Sequence, residues 1–239
     1  MEDNFYMREY KQEQGLAGES IGRYTAKTFL LMFAGLLVTF AVAFLGYYTW
    51  LVPYAFFTIP GFHLIVLVAE LAVAVGMTAL IHKISVGTAL VFFFLYSALT
   101  GITFATYFYI FDFPSLILVF GATALYFGGM AVFGFFTNID LSRMRTLLLS
   151  GLIFLIIANV LMMFLPGLQA ADRVVCTIGV VIFLGYTAYD TQRIKNCYST
   201  FQNNQEMLKK ASVFSALQLY LDFINMFLYL LRIFGKRKN

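Results

Sequence analysis

Charged residues are scarce in this 239-residue chain: they make up 12% of it, whereas 61% of the residues are hydrophobic. Soluble proteins average roughly 25% charged and about 45–50% apolar residues. A soluble fold of this length could not bury so much apolar surface. A soluble enzyme and a nucleic-acid-binding domain are therefore excluded. We assign the formal charge of +4 to basic loops beside anionic lipid, and expect the lipid bilayer to be the main partner.

Histidine and cysteine are also rare, with two of each. Two cysteines give no disulfide framework. The sequence contains no HExxH zinc motif, no phosphate-binding glycine-rich loop and no GxSxG nucleophile elbow. We therefore expect a protein that has no resident cofactor and is not an enzyme.

Long apolar runs dominate what is present. A helix needs about 20 mainly apolar residues to cross a bilayer, and a β-barrel would instead show short alternating segments. Seven runs are candidate spans: Thr28–Tyr48, Ile59–Ile81, Val86–Ile110, Pro114–Phe136, Thr146–Leu165, Val174–Tyr189 and Ala211–Phe234. They predict an all-α, polytopic membrane protein with a polar tail over residues 1–27, one membrane domain over 28–235 and a basic tail over 236–239. The connections are short, apart from Thr191–Lys210.

The basic residues predict an orientation, because cytoplasmic loops carry an excess of Lys and Arg. With the N-terminus in the cytoplasm of a cell-membrane protein, the outer loops hold only Arg173, and the inner segments hold eleven basic residues. The inner set is Arg8, Lys11, Arg23, Lys27, Lys83, Arg143, Arg145, Arg193, Lys195, Lys209 and Lys210. Seven crossings would, however, put the basic tail outside, so the sequence leaves open whether the last segment crosses fully.

One polar stripe runs along the last span. Ser215, Gln218, Asp222 and Asn225 are spaced by three, four and three residues, which places them on one face of a helix. Uncharged side chains would suffice for hydrogen bonds between helices. An ionisable Asp222 is costly there, so we interpret it as functional.

Two more acids lie in spans. Asp190 ends the sixth span near the cytoplasmic face, with Arg193 one turn later as a simple charge partner. Helix extensions into the next connection would bring Asp190 to the depth of Asp222. Two carboxyl groups in one low-dielectric site do not both ionise cheaply, so such a pair would act as a pH sensor. Glu70 lies midway along the second span and indicates either a structural carboxyl or a place on an ion path.

Three further groups of residues lie at the ends of spans, in the predicted connections and at positions of close helix packing. His82 and Lys83 lie at the cytoplasmic end of the second span, within reach of acids on other helices. Three acids in predicted connections are expected to be solvated loop carboxylates: Asp112, Asp140 and Asp172. The pairs Ser97-xxx-Gly101 and Ala124-xxx-Gly128 have the small-residue spacing of close helix packing.

Several of these stretches resemble the transmembrane Bax inhibitor motif family, which includes Bax inhibitor-one and YccA-like proteins. The block from Ala216 to Gly235, with its Leu-Tyr-Leu-Asp222-Phe-Ile-Asn core, is similar to the family's last helix. The stretch Tyr189-Asp-Thr-Gln192, together with Ile194-Lys195, is similar to the end of the family's sixth helix. Ser97-Ala-Leu-Thr-Gly-Ile-Thr103 is similar to its third-helix motif, and Glu70 matches its second-helix acid. The resemblance covers about residues 29–235.

The resemblance implies seven helices with the last one at the centre, and a pH-sensitive calcium leak. It implies that Asp190 and Asp222 form a di-aspartyl sensor, closed by a second-helix arginine that pairs with the sixth-helix aspartate. Ile81 occupies the position that the family spacing gives this arginine. His82 and Lys83 are therefore the candidates for a replacement latch.

Three functions remain open. The first is a gated leak with calcium as the transported ion, bound transiently by the oxygens of Glu70, Asp190 and Asp222. The second is a non-catalytic regulator of a membrane protease or of stress and cell-death machinery, acting through the N-terminal tail or Thr191–Lys210. The third is an intramembrane aspartyl protease. It is disfavoured because Leu-Tyr-Leu-Asp222 stands in place of Gly-x-Gly-Asp, and a Pro-Ala-Leu motif is missing.

Overall fold

Eight α-helices account for most of residues 20–80 and 83–238, the part of the chain that the computed structural model describes. In chain order they are α1 (Ile21–Tyr48), α2 (Leu51–Thr58), α3 (Phe62–Leu80), α4 (Val86–Ile110), α5 (Phe113–Phe136), α6 (Arg145–Phe164), α7 (Asp172–Phe201) and α8 (Gln205–Phe234). All except the eight-residue α2 are long and apolar enough to cross a membrane. The protein is thus a multi-pass membrane protein, and the predicted fold class is confirmed.

Local sequence explains where the helices begin. The side chains of Ser20, Ser85, Asp112 and Asn204 each accept a hydrogen bond from a backbone N–H in the first turn of the following helix. Such caps satisfy donors that the helix itself leaves unpaired. The chain has four prolines, and they lie in the first turn of a helix or between spans, so none breaks a span.

The predicted connection Thr191–Lys210 is wrong. Residues 191–201 continue α7 and residues 205–210 begin α8, which leaves a turn of three residues between them. Each helix has 30 residues, or about 45 Å, which exceeds a hydrocarbon core of about 30 Å. Polar residues can therefore extend both helices into water. Residues 21–27 of the predicted N-terminal tail are likewise helical; residues 1–19 lie outside the described part.

The last helix is the centre of the bundle, as the resemblance implied. In α8, 72% of the most apolar stretch is buried, compared with 11–44% in the other six spans. It packs against α1, α4, α5 and α7. Peripheral helices α3 and α6 are the least buried of the spans and pack mainly against α4 and α7 respectively.

Glycine permits two of the closest helix contacts. A Cβ on Gly101 would lie 2.7 Å from the carbonyl oxygen of Thr39, which confirms the predicted close packing around Ser97-xxx-Gly101. A Cβ on Gly134 would lie 2.3 Å from the carbonyl oxygen of Ala188, so α5 and α7 touch through backbone. Nothing lies within 4 Å of a Cβ on Gly128, so close packing at the second predicted motif is wrong.

The C-terminal tail returns to the bundle at the end where α8 finishes. Lys236 accepts a hydrogen bond from the backbone of Asp112, and Lys238 donates one to Ile110. Arg237 forms an isolated bridge with Phe111. The α4–α5 connection and the tail therefore lie together, at the end opposite the start of α1. The last helix, α8, therefore runs the full length of the bundle.

Candidate functional site: a buried aspartate pair

Asp190 of α7 and Asp222 of α8 meet inside the bundle. Their exposed fractions are 5% and 4%, and their carboxyl groups lie within hydrogen-bonding distance of each other. The second oxygen of each, Oδ1 of Asp190 and Oδ2 of Asp222, has no further hydrogen-bond partner among the described residues. Two acids thus face each other where water is largely excluded.

The antiparallel packing of α7 and α8 places this pair in a row of polar contacts. Asp190 and Arg193 of α7 face Asp222 and Gln218 of α8, and the Arg193 guanidinium donates to Gln218 Oε1 over 3.2 Å. One turn further, Cys197 of α7 lies beside Ser215 of α8. Both helices therefore repeat polar residues at the same three-and-four spacing. The turn over residues 202–204 makes the two helices antiparallel neighbours, so that their polar faces lie against each other.

Asn225, the fourth member of the predicted stripe, behaves differently. It is half-buried, and its side-chain amide donates to the carbonyl of Leu221 in its own helix over 2.8 Å. Gln218 does bind across the helix pair, and Ser215 is buried. The polar face of α8 is thus an interhelical contact over its first part.

Arg193 is the basic residue that the structure places beside Asp190. It follows Asp190 by three residues, one turn of α7, and its guanidinium lies 5.6 Å from the centre of the Phe214 ring. The two do not form an ion pair in the described part of the chain, where ion pairs join Lys210 to Glu206 and Arg232 to Asp172. Arg193 is therefore poised next to the aspartates but bound to Gln218.

The structure gives little support to the two predicted latch residues, His82 and Lys83. His82 lies outside the described residues, as does Ile81. Lys83 is exposed in the turn between α3 and α4. A latch from this turn stays a prediction, and the structure adds Arg193 as a third candidate that the sequence interpretation had treated only as a simple charge partner.

Glu70 lies halfway along α3 and is separate from the aspartate pair. It is half-buried and accepts a hydrogen bond of 2.7 Å from the Thr103 hydroxyl of α4. Nearby, the rings of Tyr96 and Tyr220 pack edge to face, and the Tyr220 hydroxyl is 2.6 Å from that of Thr39. Glu70 therefore joins a hydroxyl-rich cluster between α1, α3, α4 and α8.

The central helix separates these two acidic features. Tyr220 and Asp222 are two residues apart, which is about 200° around a helix. Among residues 20–80 and 83–238, no three His, Cys, Asp or Glu side chains come together in a group that could hold a metal ion. The structure thus brings together two of the three predicted calcium ligands, Asp190 and Asp222, and keeps Glu70 apart.

A second polar cluster, which the sequence interpretation missed, lies at the end of the bundle where α8 finishes. Arg232 pairs with Asp172 and donates to Asn159 Oδ1 over 2.7 Å. Asn159 in turn donates to the Tyr229 hydroxyl over 3.1 Å. The prediction of Asp172 as a solvated loop carboxylate is wrong, because Asp172 opens α7 and is only one-third exposed.

The other two predicted loop acids are caps. Asp112 accepts a hydrogen bond from the backbone of Ser115 at the start of α5. Asp140 is exposed and accepts from the backbone of Ser142. Hydrogen bonds from Ser142 hold the pKa of Asp140 below its ordinary range. Neither acid is part of the aspartate site.

Seven spans form an all-α bundle in which six surround the last one, and the last two helices carry an aspartate pair. These features define a class of multi-pass membrane proteins. The family described as "Inhibitor of apoptosis-promoting Bax1" matches residues 22–239, and the chain belongs to this Bax inhibitor family. It is 39% identical over 216 residues to the Inner membrane protein YbhL of Escherichia coli, covering 90% of this chain and 92% of that protein. It is 37% identical over 217 residues to an uncharacterized protein of Borreliella burgdorferi, covering 91% and 93%.

Proposed function

We propose that this protein is a pH-sensitive leak pathway for cations, chiefly calcium, with its N-terminus in the cytoplasm and the Asp190–Asp222 pair as its sensor. The observation that carries the proposal is the contact between these two buried carboxyl groups. A hydrogen bond between two carboxyl groups requires a proton on one of them. The pair then carries one negative charge near neutral pH and none once acid adds a second proton.

This change of charge can be transmitted to the bundle through Arg193. The singly charged pair attracts the guanidinium strongly, because a charge interaction in a water-poor site is weakly screened. Neutralising the pair in acid removes that attraction. We therefore expect the α7–α8 contact to be held closed near neutral pH and to loosen in acid, so that the leak rises as the pH falls.

Glu70 is the proposed residue of the ion path. A carboxylate halfway across a membrane span is expensive unless it is used or neutralised, and the Thr103 hydroxyl stabilises its charged form only in part. Its oxygens suit calcium, which prefers hard oxygen ligands. Calcium would bind there transiently as the transported ion.

The test is calcium flux through purified protein in liposomes across a pH series, with Asp222→Asn as the key variant. Asparagine keeps the shape but cannot share the proton, so the pH dependence of flux should flatten. Asp140→Asn is the matched control, because this exposed acid caps a short helix and asparagine caps equally well. An Asp222→Asn protein with the wild-type pH profile would rule out the aspartate pair as the sensor.

Arg193→Gln tests the latch separately. Glutamine retains polar contacts but removes the charge, so flux should rise near neutral pH and stay unchanged in acid. Arg143→Gln removes an exposed cation near the same end of the bundle and should leave both values unchanged. Equal flux in wild type and Arg193→Gln at every pH would exclude Arg193 as the latch and leave the residues of the α3–α4 turn as candidates.

A second candidate is a non-catalytic regulator of cell-death machinery, which the family description favours, or of a membrane protease. Deleting residues 1–19 separates the two, because it keeps Ser20 as the cap of α1. Loss of a stress-protection phenotype with unchanged calcium flux would support the regulator. Parallel loss of both, in protein of wild-type stability, would support the leak.

A further inference from the structure

An apolar crevice opens sideways from the bundle between α1 and α5. Its volume is about 320 Å³, and its floor is formed by Phe223, Ile224 and Phe227 of the central helix. At its rims, Phe40 of α1 and Ile117 of α5 are 55% and 62% exposed. Because these helices are membrane spans, the opening faces the hydrocarbon of the bilayer.

The lining of the crevice suits a hydrocarbon chain. Small-molecule sites have volumes of about 300–1,000 Å³ and include a few polar groups that orient the ligand. Here only Thr39 and Tyr107 among the lining residues have a polar side-chain atom. The Thr39 hydroxyl is already bonded to Tyr220 and to the carbonyl of Ser97. The crevice itself therefore offers apolar contact and little else.

Positive charge lies at one end of this crevice. The Lys238 ammonium donates to the carbonyl of Phe108, a lining residue, over 2.8 Å and lies 5.5 Å from the Tyr47 ring centre. Lys236 and Arg237 are bound through their backbones to the α4–α5 connection, next to the lining residue Phe113. All three basic side chains are exposed.

One acid shares this end of the crevice. Asp112 is half-buried, and its Oδ1 already accepts a hydrogen bond from the Ser115 backbone. In the described part of the chain, three cations and the helix-capping carboxylate of Asp112 thus lie at this end. The surplus of positive charge is located where the headgroup of a lipid would lie if its chain entered the crevice.

We propose that the crevice and the basic tail form a binding site for one anionic phospholipid, with an acyl chain against Phe223 and Phe227 and the phosphate at Lys236, Arg237 and Lys238. The apolar lining binds the chain, and the cations distinguish an anionic headgroup from a zwitterionic one. This site explains why basic residues stand at the end of the bundle opposite the N-terminus, where the distribution of Lys and Arg predicts few.

Native mass spectrometry of the full-length protein in detergent tests the headgroup half of the site. Dioleoyl phosphatidylglycerol and dioleoyl phosphatidylcholine are the two probes, because they carry the same chains and differ in headgroup charge. We expect the wild type to bind the anionic lipid about fivefold more tightly or better, as roughly one effective cation near an anionic headgroup provides. Joint replacement of Lys236, Arg237 and Lys238 by Gln should remove this preference.

The matched control replaces three exposed cations at the opposite end, Arg143, Arg145 and Lys209, by Gln. That variant should keep the preference for the anionic lipid. Equal binding of the two lipids by the wild type would overturn the proposal. So would a preference for the anionic lipid that the tail variant keeps and the control variant loses.

The crevice half of the site is tested with Ile117→Trp, which fills the opening from an exposed position, and Leu118→Trp as its control. Leu118 is 69% exposed and does not line the crevice. Ile117→Trp should weaken binding of both lipids, and Leu118→Trp should weaken neither. Equal lipid binding by the two tryptophan variants would overturn the proposal. The proposal would also be overturned if the protein were a dimer that Ile117→Trp dissociates and Leu118→Trp does not. That result would show that a second copy of the chain occupies the crevice.

Discussion

Replacing Gly134 by alanine should weaken the contact between α5 and α7. A Cβ at this position would lie 2.3 Å from the carbonyl oxygen and 2.8 Å from the Cα of Ala188. Real Cβ atoms essentially never approach another heavy atom to less than 3.0 Å, so the two helices must separate by about 0.7 Å. The obstacle is backbone, which cannot rotate away as a side chain can.

The expected magnitude follows from two opposing effects. Overpacking of a tight contact typically costs about 1–3 kcal/mol, whereas alanine in place of glycine inside a helix gains up to about 1 kcal/mol. Gly128→Ala in the same helix is the matched control, because no atom lies within 4 Å of its added Cβ. The propensity gain is common to both variants and cancels. Gly134→Ala should therefore be less stable than Gly128→Ala by about 1–3 kcal/mol.

Equilibrium unfolding of the purified variants in detergent measures this difference directly. Calcium flux in liposomes provides a second reading, because Ala188 is two residues from Asp190 and a displaced α7 would disturb the aspartate pair. A difference in unfolding free energy below about 0.5 kcal/mol, within the usual range of neutral surface changes, would refute the inferred backbone contact between α5 and α7.

Three further changes test other features of the molecule. Glu70→Gln should lower calcium flux, while Glu206→Gln, at an exposed acid, should not; unchanged flux in the first would make Glu70 structural. Ile81→Arg should lower flux near neutral pH and have less effect in acid, by adding a latch; a leak equal to wild type at all pH values would show that position 81 does not face the aspartates. Asp172→Asn should cost at most about 1 kcal/mol of unfolding free energy, because its ion pair is about one-third exposed; a loss no greater than that of Asp140→Asn would show that the pair contributes nothing.

The sequence predicts the spans well because membrane crossing depends on a simple quantity, the length of an apolar run. It fails at the α7–α8 connection because apolarity marks where a helix lies in lipid and not where the helix ends. Residues 191–201 and 205–210 are polar yet helical. Asp190, Arg193 and Cys197 are spaced by three and four residues, which indicates a helix. A search for apolar runs does not use this spacing.

The aspartate contact could be anticipated because Asp190 ends one predicted span and Asp222 lies on the next, which begins at the same side of the membrane. The cluster around Arg232 could not, since it needs α6, the start of α7 and the end of α8 to meet at one end of the bundle. Asn159 and Asp172 come from segments on either side of the short helix Pro166–Ala171. The spacing of residues within one segment cannot predict that residues of two distant segments contact the same arginine.

The central helix α8 presents different chemistry on its two sides, and this constrains any mechanism. Asp222 faces α7, while Tyr220 and the crevice floor at Ile224 and Phe227 lie roughly on the opposite side. A proton arriving at Asp222 and a lipid entering the crevice would therefore act on the same rigid element. If each favours a different position of α8, linkage requires that each alter the binding of the other by the same factor. A lipid bound in the crevice would then influence the proposed response to pH.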